Sequence, residues 1–210
     1  MDNNCPFCVE LTTPELSIWN QKRNDLPLNR ILYKKDGLVI MPPLGSFIPG
    51  GLLLLTESHY RCCSILDKSI ALSMDTLITQ TAEILRKTYK KNILFFEHGP
   101  GTCGSKGACC VDHAHINIFP IDFDIWRCLP KFNITKQIHS ITDLNDFSNI
   151  EYLWLFDNNN NYAFPISGIP SQFIRTIITK QMHFPIKWNW QDYLGLDEIQ
   201  LTLSDLQGKW

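Results

Sequence analysis

One stretch of the chain alternates polar and apolar side chains so regularly that it predicts a β-strand with one buried face. It runs from His113 to Phe119 and reads His-Ala-His-Ile-Asn-Ile-Phe. Because successive side chains of a strand point to opposite faces, His113, His115 and Asn117 share one face while the apolar residues between them enter the core. Two imidazoles on one face can provide a nucleophile or a proton carrier. A metal pair, or merely an exposed polar face, is equally compatible with the alternation alone.

Short apolar runs separated by turn residues indicate further strands. Such runs cover residues 31–33, 38–41, 51–56 and 93–97, and the histidine strand itself is expected over 111–119, ended by Pro120. Asp36-Gly37 between two apolar runs is typical of a hairpin turn. Apolar residues between 64 and 91 recur at helical spacing. One long helix beside an antiparallel sheet predicts the α+β class.

The last part of the chain is interpreted as an extension packed on this core. No linker composition separates residues 1–125 from residues 126–210, so we expect the two parts to be in contact. The pattern predicts a hairpin around residues 152–164, closed by a run of four asparagines. Two helices are predicted after it, near residues 171–182 and 196–206, which makes the extension mostly helical.

Composition excludes several classes of protein. The chain of 210 residues carries 19 Lys and Arg against 21 Asp and Glu, a formal net charge of −2, whereas proteins that coat nucleic acids need surplus cations to neutralise phosphates. No apolar run approaches the roughly 20 residues of a membrane span, and the first residues lack the basic and apolar regions of a signal peptide. We therefore expect a cytoplasmic protein with no nucleic-acid or membrane partner.

The cysteines indicate a metal site rather than disulfides. Among the eight cysteines, two pairs are sequence neighbours, at 62–63 and 109–110, where a bridge would be strained. Cys5-Pro-Phe-Cys8 is half of a zinc site, and a redox motif would need a strand before it. The remaining two ligands would come from histidines, of which His59, directly after a strand, and His113 are placed best. A reduced cysteine pair without metal is the alternative.

A glycine-rich loop over residues 99–110 leads into the histidine strand. Glycines let backbone N–H groups approach a phosphate, and Lys106 adds a positive charge. The loop does not match the P-loop pattern, because it opens a strand and not a helix. Taken alone, such a loop is more often only a flexible connection.

Together these features resemble the histidine-triad (HIT) superfamily of nucleotide hydrolases and nucleotidyltransferases. The family motif is His-φ-His-φ-His-φ-φ, with φ apolar, and residues 113–119 match it except that Asn117 stands in the third histidine position. The segment from Pro49 to His59 is similar to the family's glycine, strand and histidine segment. Phe96-Glu97-His98-Gly99 and the tail from Pro170 to Arg175 resemble a larger bacterial branch, and there is some likeness to galactose-1-phosphate uridylyltransferases.

The resemblance, which covers about residues 5–120, implies a HIT-like fold and covalent catalysis on a small nucleotide. In the family the middle histidine, here His115, attacks the α-phosphorus and carries the nucleotidyl group. The backbone carbonyl of the first histidine holds its other nitrogen. Zinc-bearing members hold a structural ion through four ligands, which map onto Cys5, Cys8, His59 and His113. Small members form dimers, so the resemblance leaves a homodimer open.

Departures from the family pattern affect the expected reaction. An amide at position 117 can donate a hydrogen bond but cannot titrate, so Asn117 shifts the interpretation from hydrolase towards transferase. A catalytically weakened nucleotide-binding or interaction module with a structural zinc is the alternative. His98 is left open as a metal ligand or an acid.

Six residues outside the motif are expected to contact the nucleotide or its phosphates. They are Asp36, Lys106, Gly107, Cys110, Gln172 and Arg175. A carboxylate such as Asp36 suits ribose hydroxyls, and Arg175 suits a leaving-group phosphate. A plain turn residue and an exposed helix residue, respectively, are the alternatives for these two.

Overall fold

The computed structural model describes residues 4–100, 111–132 and 135–210. Its α-helices are α1 (Pro6–Thr12), α2 (Ile18–Lys22), α3 (Lys68–Tyr89), α4 (Phe173–Gln181) and α5 (Leu196–Leu206). Its strands are β1 (Tyr33–Lys35), β2 (Leu38–Met41), β3 (Leu52–Thr56), β4 (Asn92–Gly99), β5 (His115–Ile121), β6 (Lys136–Gln137), β7 (Tyr152–Phe156) and β8 (Asn161–Pro165). The predicted phosphate contacts Lys106, Gly107 and Cys110 lie outside the described residues. Within those residues, none of the helices combines the length and the apolar character that crossing a bilayer requires.

The eight strands of the described residues form a single sheet in the order β1-β2-β3-β5-β4-β7-β8-β6. Every neighbouring pair is antiparallel. β5, which carries His115 and Asn117, lies between β3 and β4 near the middle of the sheet. Its register places Asn117 opposite Leu53 on one side and Phe96 on the other. The predicted α+β class, an antiparallel sheet with one long helix, is confirmed.

Helix α3 covers the sheet face opposite to His115. Its buried side chains recur at helical spacing, and they are Ala71, Met74, Leu77, Ile78, Thr81, Ala82 and Leu85. They share a core with Ile116 and Ile118, the apolar half of the alternating strand. Burying each aliphatic side chain contributes about 1.5–3 kcal/mol. A one-residue slip of β5 would expose this half, so the core itself directs His115 to the other face.

Residues beyond 125 contribute strands as well as helices. β7 pairs with β4 and extends the sheet through β8 and β6, so the predicted hairpin around residues 152–164 is confirmed and is part of the main sheet. Helix α4 packs on the face that carries His115, where Ile174 and Ile178 join Phe96 in an apolar cluster. The division at residue 125 stays a prediction, and one sheet spans both parts.

The histidine strand differs from its predicted bounds at both ends. β5 begins at His115, and His113 lies in the bend before it, with its ring buried. At the other end β5 runs through Pro120 to Ile121, so the proline does not end the strand. β3 pairs with β5 only as far as Ile118. One side of β5 therefore has no ladder at residue 120, where a missing N–H is tolerated.

Candidate active site

The Cys5-Pro-Phe-Cys8 motif opens helix α1. Cys5 is the N-cap residue and Pro6 fills the first helical turn, a position that proline favours because the N–H it lacks would have no helical partner there. Cys8 follows three residues later and so lies on the same side of the turn. Both thiols are buried. The start of the helix is what brings them together.

A buried ion pair fixes α1 to the rest of the molecule. Glu10 accepts two hydrogen bonds from Arg30, from Nε and Nη2, each at 2.7 Å. The two side chains are 9% and 1% exposed. Arg30 also donates to the carbonyl of Pro42, and its Cζ lies 5.4 Å from the centroid of Trp19. Because this geometry satisfies both charges, it holds the two cysteines at a fixed position beside β2.

Four donor side chains meet beside α1. The ligand atoms of Cys5, Cys8, His59 and His113 all lie within 4.8 Å of one another. Cys5 Sγ is 3.3 Å from His113 Nδ1, and Cys8 Sγ is 3.3 Å from His59 Nδ1. Cys8 Sγ is also 3.7 Å from His113 Nδ1. A tetrahedral zinc ion with ordinary Zn–S and Zn–N bonds separates such atoms by about 3.6 Å. The four predicted ligands are brought together in a geometry that fits a four-coordinate ion.

The ring of His113 is oriented by its second nitrogen. Nε2 lies 2.8 Å from the carbonyl oxygen of Thr56, so Nε2 carries a proton and donates it, while Nδ1 keeps its lone pair for a metal. Burial lowers the pKa of His113 to about 4, which keeps the ring neutral. Burial raises the pKa of the Cys5 thiol to about 11, so a metal that binds there must displace the proton.

His115 is held by the backbone of His113. Its Nδ1 lies 2.6 Å from the carbonyl oxygen of His113. A carbonyl only accepts, so Nδ1 carries the proton and the lone pair of Nε2 is left for an electrophile. Burial lowers the pKa of His115 and favours the neutral ring. Phe7 of α1 packs edge-on against both rings, with centroid distances of 5.4 Å to His115 and 5.6 Å to His113.

His115 lines a cavity between the sheet, α1 and the C-terminal part of the chain. The cavity is open to solvent, and with that solvent included it has about 950 Å³ of atom-free space. Beside His115 the sheet contributes His98 of β4 and Asn117 of β5. Most of the wall is apolar, and it includes Phe7, Pro43, Leu44, Leu53, Phe96, Phe173 and Trp190. A few polar groups on a largely apolar wall suit a ligand with a flat ring and a polar end.

The C-terminal part supplies one wall of this cavity. Gln172 precedes α4 with a positive φ of 62°, and its Oε1 is buried without a hydrogen-bond partner among the described residues. Arg175 is buried and is not an exposed helix residue. Its guanidinium lies 4.9 Å from the centroid of Phe47 and donates to the carbonyls of Gly45 and Trp188. Both predicted contacts from α4 therefore reach the cavity.

The same wall depends on close backbone contact. Gly195 has a φ of 69°, and a Cβ at this position would lie 1.8 Å from the carbonyl oxygen of Ser46. Gly45 donates to the carbonyl of Leu194 at 2.8 Å. Gly50 donates to Thr202 Oγ1, also at 2.8 Å. The loop between β2 and β3 is thus bound to the segment around α5, and this fixes the distance across the cavity.

Asp36 lies apart from the other predicted site residues. It occupies the β1–β2 turn with a φ of 55°, is exposed, and lies 3.9 Å from Lys35. Asp36 is not among the residues that line the cavity. The hairpin is confirmed, whereas a ribose contact by Asp36 stays a prediction without support from its position.

Several lining residues carry no sequence signal that separates them from core residues. The sequence pattern predicts ordinary buried apolar residues at Phe96, Leu53 and Phe173. Only the tertiary structure shows that they face a cavity. Phe7 had one available signal, its place between the two cysteines. Glu151, which contacts His98 at 3.1 Å, is 53 residues away in sequence and could not be paired with it from spacing.

Comparison with known proteins gives structural likeness only. No family model and no curated protein matches the chain. Among solved structures, a histidine-triad protein from Clostridium difficile is 19% identical, with a TM-score of 0.41 over 63% of this chain and 99% of its own. A HIT-like protein from Bartonella henselae is 18% identical, with a TM-score of 0.42 over 58% and 82%. A zinc-bound histidine-triad family protein from Mycobacterium smegmatis is 13% identical, with a TM-score of 0.39 over 69% and 89%. The chain is thus similar to solved histidine-triad proteins, while the likeness to uridylyltransferases stays a prediction.

Proposed function

We propose that this protein transfers the nucleotidyl group of a small nucleotide through a covalent intermediate on His115. One observation carries the proposal: the Nδ1 of His115 is held at 2.6 Å by the carbonyl of His113, and the ring lines an open, largely apolar cavity. This arrangement fixes the tautomer and leaves Nε2 as the nucleophilic atom. The covalent route is the one that the sequence resemblance predicts.

In the first step, Nε2 of His115 attacks the α-phosphorus and forms a P–N bond. The bond from phosphorus to the bridging oxygen breaks, and its electron pair leaves with the phosphate or other leaving group. The ring then carries a positive charge, which the Nδ1–H shares with the carbonyl of His113. In the second step, water or a hydroxyl acceptor attacks phosphorus, the P–N bond breaks, and its electron pair returns to Nε2.

The cavity walls support the choice of a nucleotide. Phe7, Phe173 and Trp190 offer apolar surfaces for a flat base. The buried Oε1 of Gln172 needs a donor, which a ribose hydroxyl or an exocyclic amine provides. Arg175 brings positive charge to the same wall, and we retain it as the phosphate contact.

We propose zinc as the ion for Cys5, Cys8, His59 and His113, because two thiolates and two imidazoles in tetrahedral spacing are its preferred ligands. With all four positions taken by side chains, the ion would be structural. It would tie α1 to His113, and thus orient the carbonyl that holds His115. This places it in a supporting role for the proposed reaction.

The test is to incubate the zinc-loaded chain with the four ribonucleoside triphosphates and to measure its intact mass. We expect the added mass of one bound nucleotidyl group, and the size of this added mass identifies the base. The adduct should be completely absent in His115→Ala. The exposed His139 offers a matched control, since His139→Ala should keep the adduct. Nucleotide binding without adduct or turnover in the wild type would instead support a binding module.

The fate of the intermediate is a separate prediction. Asn117 lies on the cavity face of β5, two residues from His115, and its amide can donate to a phosphoryl oxygen but cannot transfer a proton. We therefore propose that Asn117 steadies the intermediate and favours transfer to an acceptor. Rapid release of free monophosphate in the absence of any acceptor would contradict a transferase and support a hydrolase.

A further inference from the structure

His98 lies beside the proposed nucleophile on the neighbouring strand. In the antiparallel ladder between β4 and β5, Phe96 pairs with Asn117. The paired register ends there, and His98 and His115 lie two residues beyond this pair on their strands, on the same face as Phe96 and Asn117. Both side chains line the same cavity, so a group bonded to His115 lies within reach of His98.

Glu151 holds one of the two nitrogens of His98. It stands immediately before β7, and its Oε1 lies 3.1 Å from His98 Nε2. The two side chains are 19% and 11% exposed, so water screens the pair only partly. An ionised carboxylate only accepts hydrogen bonds, so Nε2 carries the proton and donates it. The nitrogen that remains as a proton acceptor is Nδ1.

The surroundings favour a neutral His98. Burial lowers the pKa of His98, and the carboxylate of Glu151 opposes this effect. A neutral imidazole with a carboxylate behind it can take up a proton, because the carboxylate stabilises the imidazolium that forms. Asn117 cannot take up a proton. The sheet therefore offers the missing proton acceptor on β4 and not within the β5 motif.

We propose that His98 is the catalytic general base of the second step and that Glu151 is its positioning residue. The inference rests on the proposed intermediate at His115. As water or a hydroxyl acceptor attacks the phosphorus, its proton passes to Nδ1 of His98. The P–N bond breaks and its electron pair returns to His115 Nε2. His98 then releases the proton to solvent and regains its neutral form.

The experiment separates formation of the adduct from its hydrolysis. The zinc-loaded full chain is mixed with the four ribonucleoside triphosphates. Samples taken over time are quenched in alkaline denaturant, and the mass of the intact protein is measured by mass spectrometry. In His98→Ala we expect adduct formation within a few-fold of wild type and hydrolysis slower by about 10²- to 10⁴-fold. The adduct then accumulates. Added imidazole, which fits the space left by the ring, should restore its hydrolysis.

Two further variants keep the test sharp. His98→Asn retains an amide donor for Glu151 and should accumulate the adduct as well, so a folding defect of the alanine variant does not decide the result. Glu151→Gln should slow hydrolysis while leaving adduct formation unchanged, whereas a merely structural role would slow both steps. His139→Ala, at an exposed histidine, is the control and should match wild type.

The outcomes distinguish the two proposals. Adduct in every variant with hydrolysis as fast as in wild type would overturn the role of His98 and leave His115 as the nucleophile. Loss of adduct formation in both His98 variants would also overturn it, because His98 would then act in the first step. Absence of both adduct and monophosphate release in wild type would overturn the nucleotidyl-His115 mechanism, and the role of His98 with it.

Discussion

Glu97 makes the stability of this protein depend on pH in a way that can be worked out from its surroundings. It lies on β4 next to His98, but on the face covered by α3, where it is fully buried. Its Oε1 accepts from the backbone N–H of Cys63 at 2.8 Å, and its Oε2 accepts from the hydroxyl of Tyr152. Burial outweighs these hydrogen bonds and raises the pKa of Glu97 from 4.5 to about 7.

The sign follows from proton linkage. Between pH 4.5 and 7 the folded chain holds a proton on Glu97 that the unfolded chain has released, so the free energy of unfolding falls as pH rises through this range. The raised pKa corresponds to about 3 kcal/mol across the window. Glu97→Gln removes the titration while keeping an oxygen for the N–H of Cys63. We therefore expect the variant to gain up to about 3 kcal/mol relative to wild type between pH 4.5 and 8.

The assay is urea unfolding followed by tryptophan fluorescence at several pH values, with zinc present. The difference between Glu97→Gln and wild type cancels the pH dependence that both share, including that of metal binding. Glu83→Gln, at an exposed position on α3, is the matched control and should show no such trend. Parallel pH profiles for wild type and Glu97→Gln would refute the argument, because they would mean that Glu97 titrates alike in the folded and unfolded chain.

Three more predictions follow from the metal cluster, the ion pair and the loop contact. The chain should bind one zinc ion, measured by elemental analysis, and Cys8→Ser should lose it and unfold at a lower temperature; an unchanged zinc content would contradict the assigned ligands. Glu10→Ala leaves Arg30 buried without its carboxylate and should cost about 3–5 kcal/mol in urea unfolding; a cost below about 1 kcal/mol would contradict the role given to this ion pair. Gly195→Ala places a Cβ against the carbonyl of Ser46, at a residue with a positive φ. The substitution should shift the loop between β2 and β3 and weaken nucleotide binding, which calorimetry measures. An affinity equal to that of the wild type would show that this loop does not shape the cavity.

Local patterns predicted the parts of the fold that local physics determines. Asp36-Gly37 predicted the hairpin, since both residues adopt the positive φ that the turn requires. The alternation around His115 predicted the face of β5, because the apolar half has to enter the core. The Cys5–Cys8 spacing predicted two thiols close enough to share one metal ion, but not the helix that begins there. The predicted end of the strand at Pro120 was wrong, because the tolerance of a strand for proline depends on which neighbouring strand pairs with it.

The sequence by itself determined the features that depend on residues close together in the chain. These are the His113–His115 segment, the cysteine pair, and the polar and apolar faces of β5. Spacing favoured His59 and His113 as the two histidines of the metal cluster, and the resemblance implied the same pair. Only the tertiary structure decided that Arg175 is buried, that Glu151 meets His98, and that β7 joins β4. The physical reason is that these contacts join segments tens of residues apart, and their partners are selected by packing of the whole sheet. A short stretch of sequence carries no information about that packing.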